Sequence, residues 1–246
     1  HLIAPHAIVA HGTEEQKQKY LPMLTKGGVL GAFALTEPNA GSDAAGVKTT
    51  AVYDEATDEY ILNGTKCFIT GGSRAGVLVI FALTEPEKGT KGMTAFIVES
   101  SYPGFSVGKI ENKMGLCGSE TAELVFEDCR VPAKNILGKP GKGFKIAMMA
   151  LDGARIGVGA QGIGCAEGAL ELAVKYAHER EQFGKPIANL QGIQWYLADM
   201  ATKTEAAKTL VYYAAYLADN KQPFTKEAAL CKLNAAENAR FVTNLA

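Results

Sequence analysis

Lys145-Ile146-Ala147-Met148-Met149-Ala150-Leu151-Asp152-Gly153-Ala154-Arg155-Ile156-Gly157-Val158-Gly159-Ala160-Gln161-Gly162 ends in six residues that spell GxGxxG, so it is either a dinucleotide-binding loop or part of a helix. A dinucleotide loop of that spelling needs a strand before it, a helix after it and a second strand ending in an acid about 20 residues further on. Here Lys145–Ala150 is a helix former, and the chain downstream runs on as helix through Tyr176 toward Arg180. The stretch is therefore read as one helix whose glycines let it pack closely against a neighbour or a ligand. A nicotinamide-binding Rossmann domain is the reading it displaces. Just upstream, Gly138-Lys139-Pro140-Gly141-Lys142-Gly143 lacks the spacing and final Lys-Ser/Thr of a P-loop and reads as a turn opening the helix.

Downstream, Ala166, Ala169, Leu170, Ala173, Val174 and Ala177 recur at helical spacing, and 191–219 and 226–246 are two more Ala-rich helical stretches. Three or more long helices on short loops predict a bundle over residues 138–246. Upstream, 31–137 reads as strands: 30–36, 47–53, 59–62, 67–70, 77–83, 93–98, 105–107 and 122–126 are β-branched or aromatic runs. Turn clusters separate them at Pro38–Gly41, Asn63-Gly64, Gly71-Gly72 and Pro103-Gly104. With no helix between them, an antiparallel barrel or sandwich is expected. Residues 1–30 read as short helix, with Thr13 as N-cap, Gln16 completing a capping box, and Pro22 and Gly27-Gly28 ending it. The fold class expected is α+β: a helical remnant, a central antiparallel β-domain, then a helical bundle.

Composition narrows the function. Twenty-five Lys+Arg against 26 Asp+Glu give a net charge of −1, and no basic stripe appears, so no nucleic-acid partner is expected. The longest strongly apolar run, Val77–Leu83, is too short for a membrane span. Cys67, Cys117, Cys129, Cys165 and Cys231 show no ligand spacing, so no metal is expected, and all five are read as reduced core thiols. His1 heads an apolar segment without a basic region, a poor signal peptide, and the chain reads as cut from something longer. Phe-Ala-Leu-Thr-Glu-Pro occurs at 33–38 and again at 81–86, read as two similar strands ending in similar turns.

Two segments carry chemistry of their own. Phe33–Asp43 is a strand running into a turn of small residues and hydroxyls that can approach a ring or phosphate closely. Asn63–Gly72 offers an aromatic, Phe68, beside a Thr donor, Thr70, suited to covering a flat cofactor. Asp152 and Arg155 stand three apart on a helix face, as an ion pair would. Arg180 closes a helix, where it suits the dipole or can reach a phosphate, and His178 beside it reads as solvated.

AFALTEPNAGSD (32–43), LNGTKCFITGG (62–72), KMGLCGSETAELVFEDCRVP (113–132), GKGFKIAMMALDGARIGVGAQGIG (141–164) and Arg180/Phe183-Gly184 followed by Gln191, in this order, resemble the acyl-CoA dehydrogenase family. The likeness covers nearly the whole chain and leans to the short-chain, butyryl-CoA branch. It implies FAD held between the β-domain and the bundle, a carboxylate that removes the acyl-CoA α-proton, and a β-hydrogen leaving as hydride to the flavin. It further implies an electron-transfer flavoprotein as acceptor, a homotetramer, and a bacterial cytoplasm or mitochondrial matrix. By the resemblance, Phe33, Leu35, Thr36 and Ser42 match the first flavin segment, and Phe68, Ile69 and Thr70 the second; the family often has Trp at the Phe68 position. Ser42, Asp152 and Arg155 match substrate-contacting positions, and Arg180, Phe183 and Gln191 positions that reach the FAD of a neighbouring subunit. Ala154 occupies the position where some branches carry the base, so the catalytic Glu is expected beyond Ala246 and the chain alone is expected to be inactive. An oxidase on the same fold, and a non-catalytic fragment, remain the other readings.

Overall fold

The computed structural model describes residues 3–246. Helices α1 (Ile3–His11) and α2 (Glu14–Thr25) lead into strands β1 (Leu30–Ala34), β2 (Thr50–Asp54), β3 (Glu59–Thr70), β4 (Ala75–Leu83), β5 (Met93–Glu99), β6 (Phe105–Ile110), β7 (Thr121–Pro132) and β8 (Ile136–Leu137). Then follow α3 (Gly143–Glu179), a short hairpin of β9 (Glu181–Gln182) and β10 (Lys185–Pro186), α4 (Gln191–Asp219) and α5 (Thr225–Leu245). The chain divides into two compact units, one ending at Leu151 and the other running from Asp152 to Ala246.

In the first unit the Thr13 side chain accepts from Gln16 N–H, and the Gln16 side chain returns a bond to Thr13 N–H, the expected capping box. Pro22 does not end α2 but lies inside it, and the helix runs on to Thr25. All eight strands join one sheet in the order β6-β7-β3-β2-β4-β5-β8, with β1 paired to β4. Of the expected antiparallel barrel or sandwich, the closed barrel does not form. Among the described residues β6 and β8 do not pair, so the sheet does not close, and β1 runs parallel to β4 from Gly31↔Val77 to Ala34↔Ile80. The crossover between those two strands is made by β2 and β3 rather than by a helix, which is why no helical signal betrays it.

Strand alternation supplies two cores. Val77, Val79, Phe81, Met93, Ala95 and Ile97 face one side, with Ile8, Tyr20 and Leu24 of α1 and α2 and Ile146, Ala147 and Ala150 of α3. Leu78, Ile80, Phe96 and Val98 face the other, where they meet Leu62, Ile69, Leu124 and Phe126 from β3 and β7. The sheet therefore bends until one half covers the other, which keeps the sandwich-like core of the expectation without its closure.

Asn63-Gly64 is not a turn. The two strand runs expected on either side of it form the single strand β3, which bulges between Leu62 and Gly64 against β7. In the second unit, α3 is one unbroken helix across the GxGxxG residues. A Cβ on Gly159 would lie 3.1 Å from Val211 Cγ2, and one on Gly162 would lie 3.1 Å from the Ala235 carbonyl oxygen. Those two glycines let α3 lie close to α4 and α5, while Gly157 faces open space. Ile163, Ala207, Val211, Ala214, Cys231 and Ala235 make the local core. Cys67, Cys129 and Cys231 are buried thiols, but Cys117 and Cys165 are exposed, contrary to the reading of all five as core.

Candidate functional site

The two motif segments of the first unit meet. β1 ends at Ala34, and the chain continues through Leu35 and Thr36 into a tight turn closed by reciprocal backbone bonds between Glu37 and Ala40, each 3.0 Å. The Cys67 N–H donates to the Thr36 carbonyl at 2.9 Å, so residues 33–36 and 67–70 lie against each other. Phe33 is half-buried, its ring 5.0 Å from that of Phe81. Leu35 and Ile69 are buried, at 7% and 2% exposure, so only their main-chain groups are available to a ligand.

Phe68 is different. Its φ is +57°, a left-handed conformation that an aromatic rarely adopts, at a second irregularity in the β3–β7 ladder between Lys66 and Ile69. The consequence is a ring that stands out from the strand with 63% exposure, flanked by the exposed Thr70. Strain of this kind costs about 1–3 kcal/mol and persists only where the surroundings enforce it. The hydroxyls of Thr36, Ser42 and Thr70 make no hydrogen bond to other described residues. Donors and an aromatic face are thus presented without internal partners.

Beneath this surface lies a feature that sequence reasoning missed. Lys66 has no exposure at all, and its Nζ donates to Glu37 Oε1 at 2.7 Å, to the Phe81 carbonyl at 2.6 Å and to the Leu35 carbonyl at 3.3 Å. Glu37 also accepts from Lys48 N–H at 2.7 Å, Thr49 N–H at 3.1 Å and Thr49 Oγ1 at 2.5 Å. Burial pushes the Lys66 ammonium down to about 8, against the pull of Glu37. Burial alone would raise the Glu37 carboxyl, but the Lys66 charge and the bonds from Lys66, Thr49 and Lys48 hold it below the usual carboxylate range. The signal available in the sequence was only a Glu before Pro38 and a Lys after Asn63-Gly64-Thr65. Each reads as an exposed turn residue until the two segments are seen together.

The other expected residues lie in the second unit. Asp152 and Arg155 form the anticipated ion pair on α3, and Asp152 Oδ2 also accepts from Thr225 Oγ1 at 2.7 Å, at the start of α5. Ala154 lies between them, half-buried. Arg180 follows the last residue of α3 and is exposed; its carbonyl accepts from Ile187 N–H at 2.8 Å, closing the β9–β10 hairpin. At the tip, Phe183 and Gly184 have φ of +53° and +73°, the pair of left-handed residues that a two-residue hairpin turn uses. Phe183 is 88% exposed, and Gln191, also exposed, opens α4. Sequence reading missed the hairpin because its strands are two residues each. Phe68 and Phe183 share one peculiarity: both are aromatics held outward on left-handed backbone.

No cluster of His, Cys, Asp and Glu that could hold a metal occurs among the described residues, nor any helix long and apolar enough to cross a membrane.

Residues 32–129 match the model of the acyl-CoA dehydrogenase middle domain, and residues 141–246 that of the acyl-CoA dehydrogenase C-terminal domain. The acryloyl-CoA reductase (NADH) of Anaerotignum propionicum is 77% identical over all 246 residues, which span 62% of that protein. The CarC subunit of the caffeyl-CoA reductase–Etf complex of Acetobacterium woodii is 52% identical over 96% of this chain and 62% of its own length. The solved butyryl-CoA dehydrogenase of Megasphaera elsdenii superposes with a TM-score of 0.93 at 51% identity, covering 99% of this chain and 63% of that one. The chain thus spans a little over three-fifths of these relatives. Two adjoining domain matches in order, on a fold that superposes end to end, place the chain in the acyl-CoA dehydrogenase family, of which it carries the middle and C-terminal domains.

Proposed function

We propose that the protein carrying this chain is an FAD-dependent oxidoreductase of the α,β-bond of short-chain acyl-CoA thioesters. It exchanges electrons with an electron-transfer flavoprotein and works as a homo-oligomer, a tetramer. The observation that carries this reading is the bond from Cys67 N–H to the Thr36 carbonyl, 2.9 Å, which joins the two motif segments. What they present together fits a flavin ring: the exposed face of Phe68, hydroxyls at Thr36 and Thr70 without internal partners, and peptide groups at Leu35 and Ile69 whose side chains are turned into the core. Phe33, Leu35, Thr36, Ser42, Phe68, Ile69 and Thr70 are the residues assigned to hold it. When bound, FAD supplies a hydride acceptor for the β-carbon.

Ser42, Asp152 and Arg155 are assigned to the thioester and its CoA. Both Asp152 oxygens are engaged, one by Arg155 and one by Thr225, so Asp152 is assigned to recognition rather than to proton removal. Arg180, Phe183 and Gln191 are assigned to the FAD of a neighbouring subunit. Arg180 is exposed and free to make the charge-assisted contact a pyrophosphate takes.

A second reading is favoured by the 77% identical relative, which is named a reductase. The same residues serve the reverse reaction, with hydride delivered to the β-carbon of a 2-enoyl-CoA and a proton to its α-carbon. Direction then follows the potential of the electron partner. The test is spectroscopic. Purified protein should show flavin absorbance that butyryl-CoA bleaches anaerobically, and acryloyl-CoA should restore absorbance after chemical reduction. Which of these half-reactions is faster with the electron-transfer flavoprotein present distinguishes the two directions. A protein that binds NADH tightly and retains no flavin after reconstitution would sink both.

A further inference from the structure

Resting on the flavin reading, we propose that the buried Glu37–Lys66 pair is the positioning unit of that site: it locks segments 33–36 and 67–70 into one geometry from beneath. Lys66 is the hub. Its side chain holds the Leu35 carbonyl, one residue before Thr36, and the Phe81 carbonyl of the neighbouring strand, while the next peptide N–H, that of Cys67, holds the Thr36 carbonyl itself. Two consecutive residues of the second segment thus grip two consecutive carbonyls of the first. Glu37 completes the lock through Thr49 and Lys48, which anchors the loop carrying Ser42. Gly64 makes room for that anchor, since a Cβ there would lie 2.8 Å from Thr49 Cα.

Stability alone is a weak account of a buried ion pair. A wholly buried ion pair is often replaceable by apolar side chains without loss. A lysine here specifies where two main-chain carbonyls lie. Two residues along the chain, Phe68 holds a strained backbone and an outward ring, an arrangement that persists only where the surroundings enforce it. Partners that hold ligand-contacting groups from behind typically set about ten- to a hundredfold in affinity at metal sites, and the same logic applies to a cofactor cradle.

The test uses the full protein with Lys66→Met, Glu37→Gln and, as a control whose core cluster contains no residue of either segment, Val242→Ala in α5. FAD affinity is titrated on apoprotein, and amide hydrogen exchange is followed at residues 33–37 and 66–70 without FAD. Lys66→Met should lower FAD affinity about tenfold or more and speed exchange in both segments. Glu37→Gln should do so more mildly, because the amine of Lys66 keeps its donors to the two carbonyls. Val242→Ala should lower the melting temperature without changing FAD affinity. FAD affinity within twofold of the unsubstituted protein, or a loss matched by Val242→Ala at equal melting temperature, would overturn the proposal. If Lys66→Met does not fold, Glu37→Gln carries the same two outcomes. Should the unsubstituted protein bind no FAD, the flavin reading itself fails, and the exchange data alone then decide whether the lock exists.

Discussion

Phe68 separates stability from binding at a single position. Its ring is mostly in solvent and its backbone is strained, so Phe68→Ala should change unfolding free energy by no more than about 0.5 kcal/mol while weakening FAD retention. Equal loss of both in a denaturant series and a flavin titration would place the ring in the core instead. Gly64 behaves oppositely. Gly64→Ala drives a Cβ into Thr49 and should cost about 1–3 kcal/mol, read as a lower urea midpoint with unchanged slope. Arg180→Ala removes an exposed cation whose assigned partner is a pyrophosphate on a neighbouring subunit. Loss of a charge-assisted bond of about 1.5–3 kcal/mol corresponds to about one to two decades in FAD affinity. Sedimentation of the variant should show the oligomer weakening in parallel, and unchanged flavin affinity would remove Arg180 from the site.

Among the elements, α3 offers the sharpest contrast, because its GxGxxG glycines do different jobs. Gly157 faces open space, so Gly157→Ala should stabilise the helix by about 0.5–1 kcal/mol and leave cofactor binding alone. Gly162→Val presses against the Ala235 carbonyl and should destabilise by about 1–3 kcal/mol, visible as a lower melting temperature. A dinucleotide loop would show the reverse sensitivity at Gly157, where backbone must approach a pyrophosphate. Chain order alone could exclude that loop, since helix formers flank it on both sides. It could not tell which glycine touches a neighbour, because that depends on where α4 and α5 lie.

At the scale of the molecule, acid stability turns on carboxylates held by the fold. Glu99 accepts from Lys19 at 2.6 Å, Tyr20 at 3.0 Å and Tyr102 at 3.1 Å, and Asn135 bonds both tyrosine hydroxyls, tying α2 to the sheet. Burial would raise the Glu99 carboxyl, yet these donors keep it below the usual range, and burial with Glu99 beside it pushes Tyr20 up to about 12. Glu37 is depressed likewise. A carboxyl with a lowered folded-state pKa contributes stability that is complete above its unfolded value, near 4.5, and lost as pH falls through the folded one. The melting temperature should therefore decline slightly below about pH 6.5, where the His11 imidazole, held below its usual value by burial, begins to protonate in the unfolded chain, and drop more steeply below about 4.5. Glu99→Gln should start lower and fall less steeply; an unchanged acid limb in that variant would exclude Glu99 from the transition.

Local pattern determined much of this protein. Continuous apolar runs mark β4 and β5, helical spacing marks α3 to α5, and Thr13 with Gln16 marks the start of α2, because each depends on neighbours within a few residues. Motif order determined the family and the positions to examine. Tertiary structure alone decided the rest, and the repeated hexapeptide shows why. Phe-Ala-Leu-Thr-Glu-Pro at 33–38 and at 81–86 is the same string on adjacent parallel strands, with Phe33 and Phe81 in contact. Yet Glu37 is buried on Lys66, whereas Glu85 is only half-buried and pairs with the exposed Lys88. Identical residues meet different fates because the partner of one arrives from 29 residues away, through a bulged strand, and that of the other stands three residues along the chain. Burial, charge pairing and the outward set of Phe68 are all consequences of long-range approach, and no local window of sequence contains it.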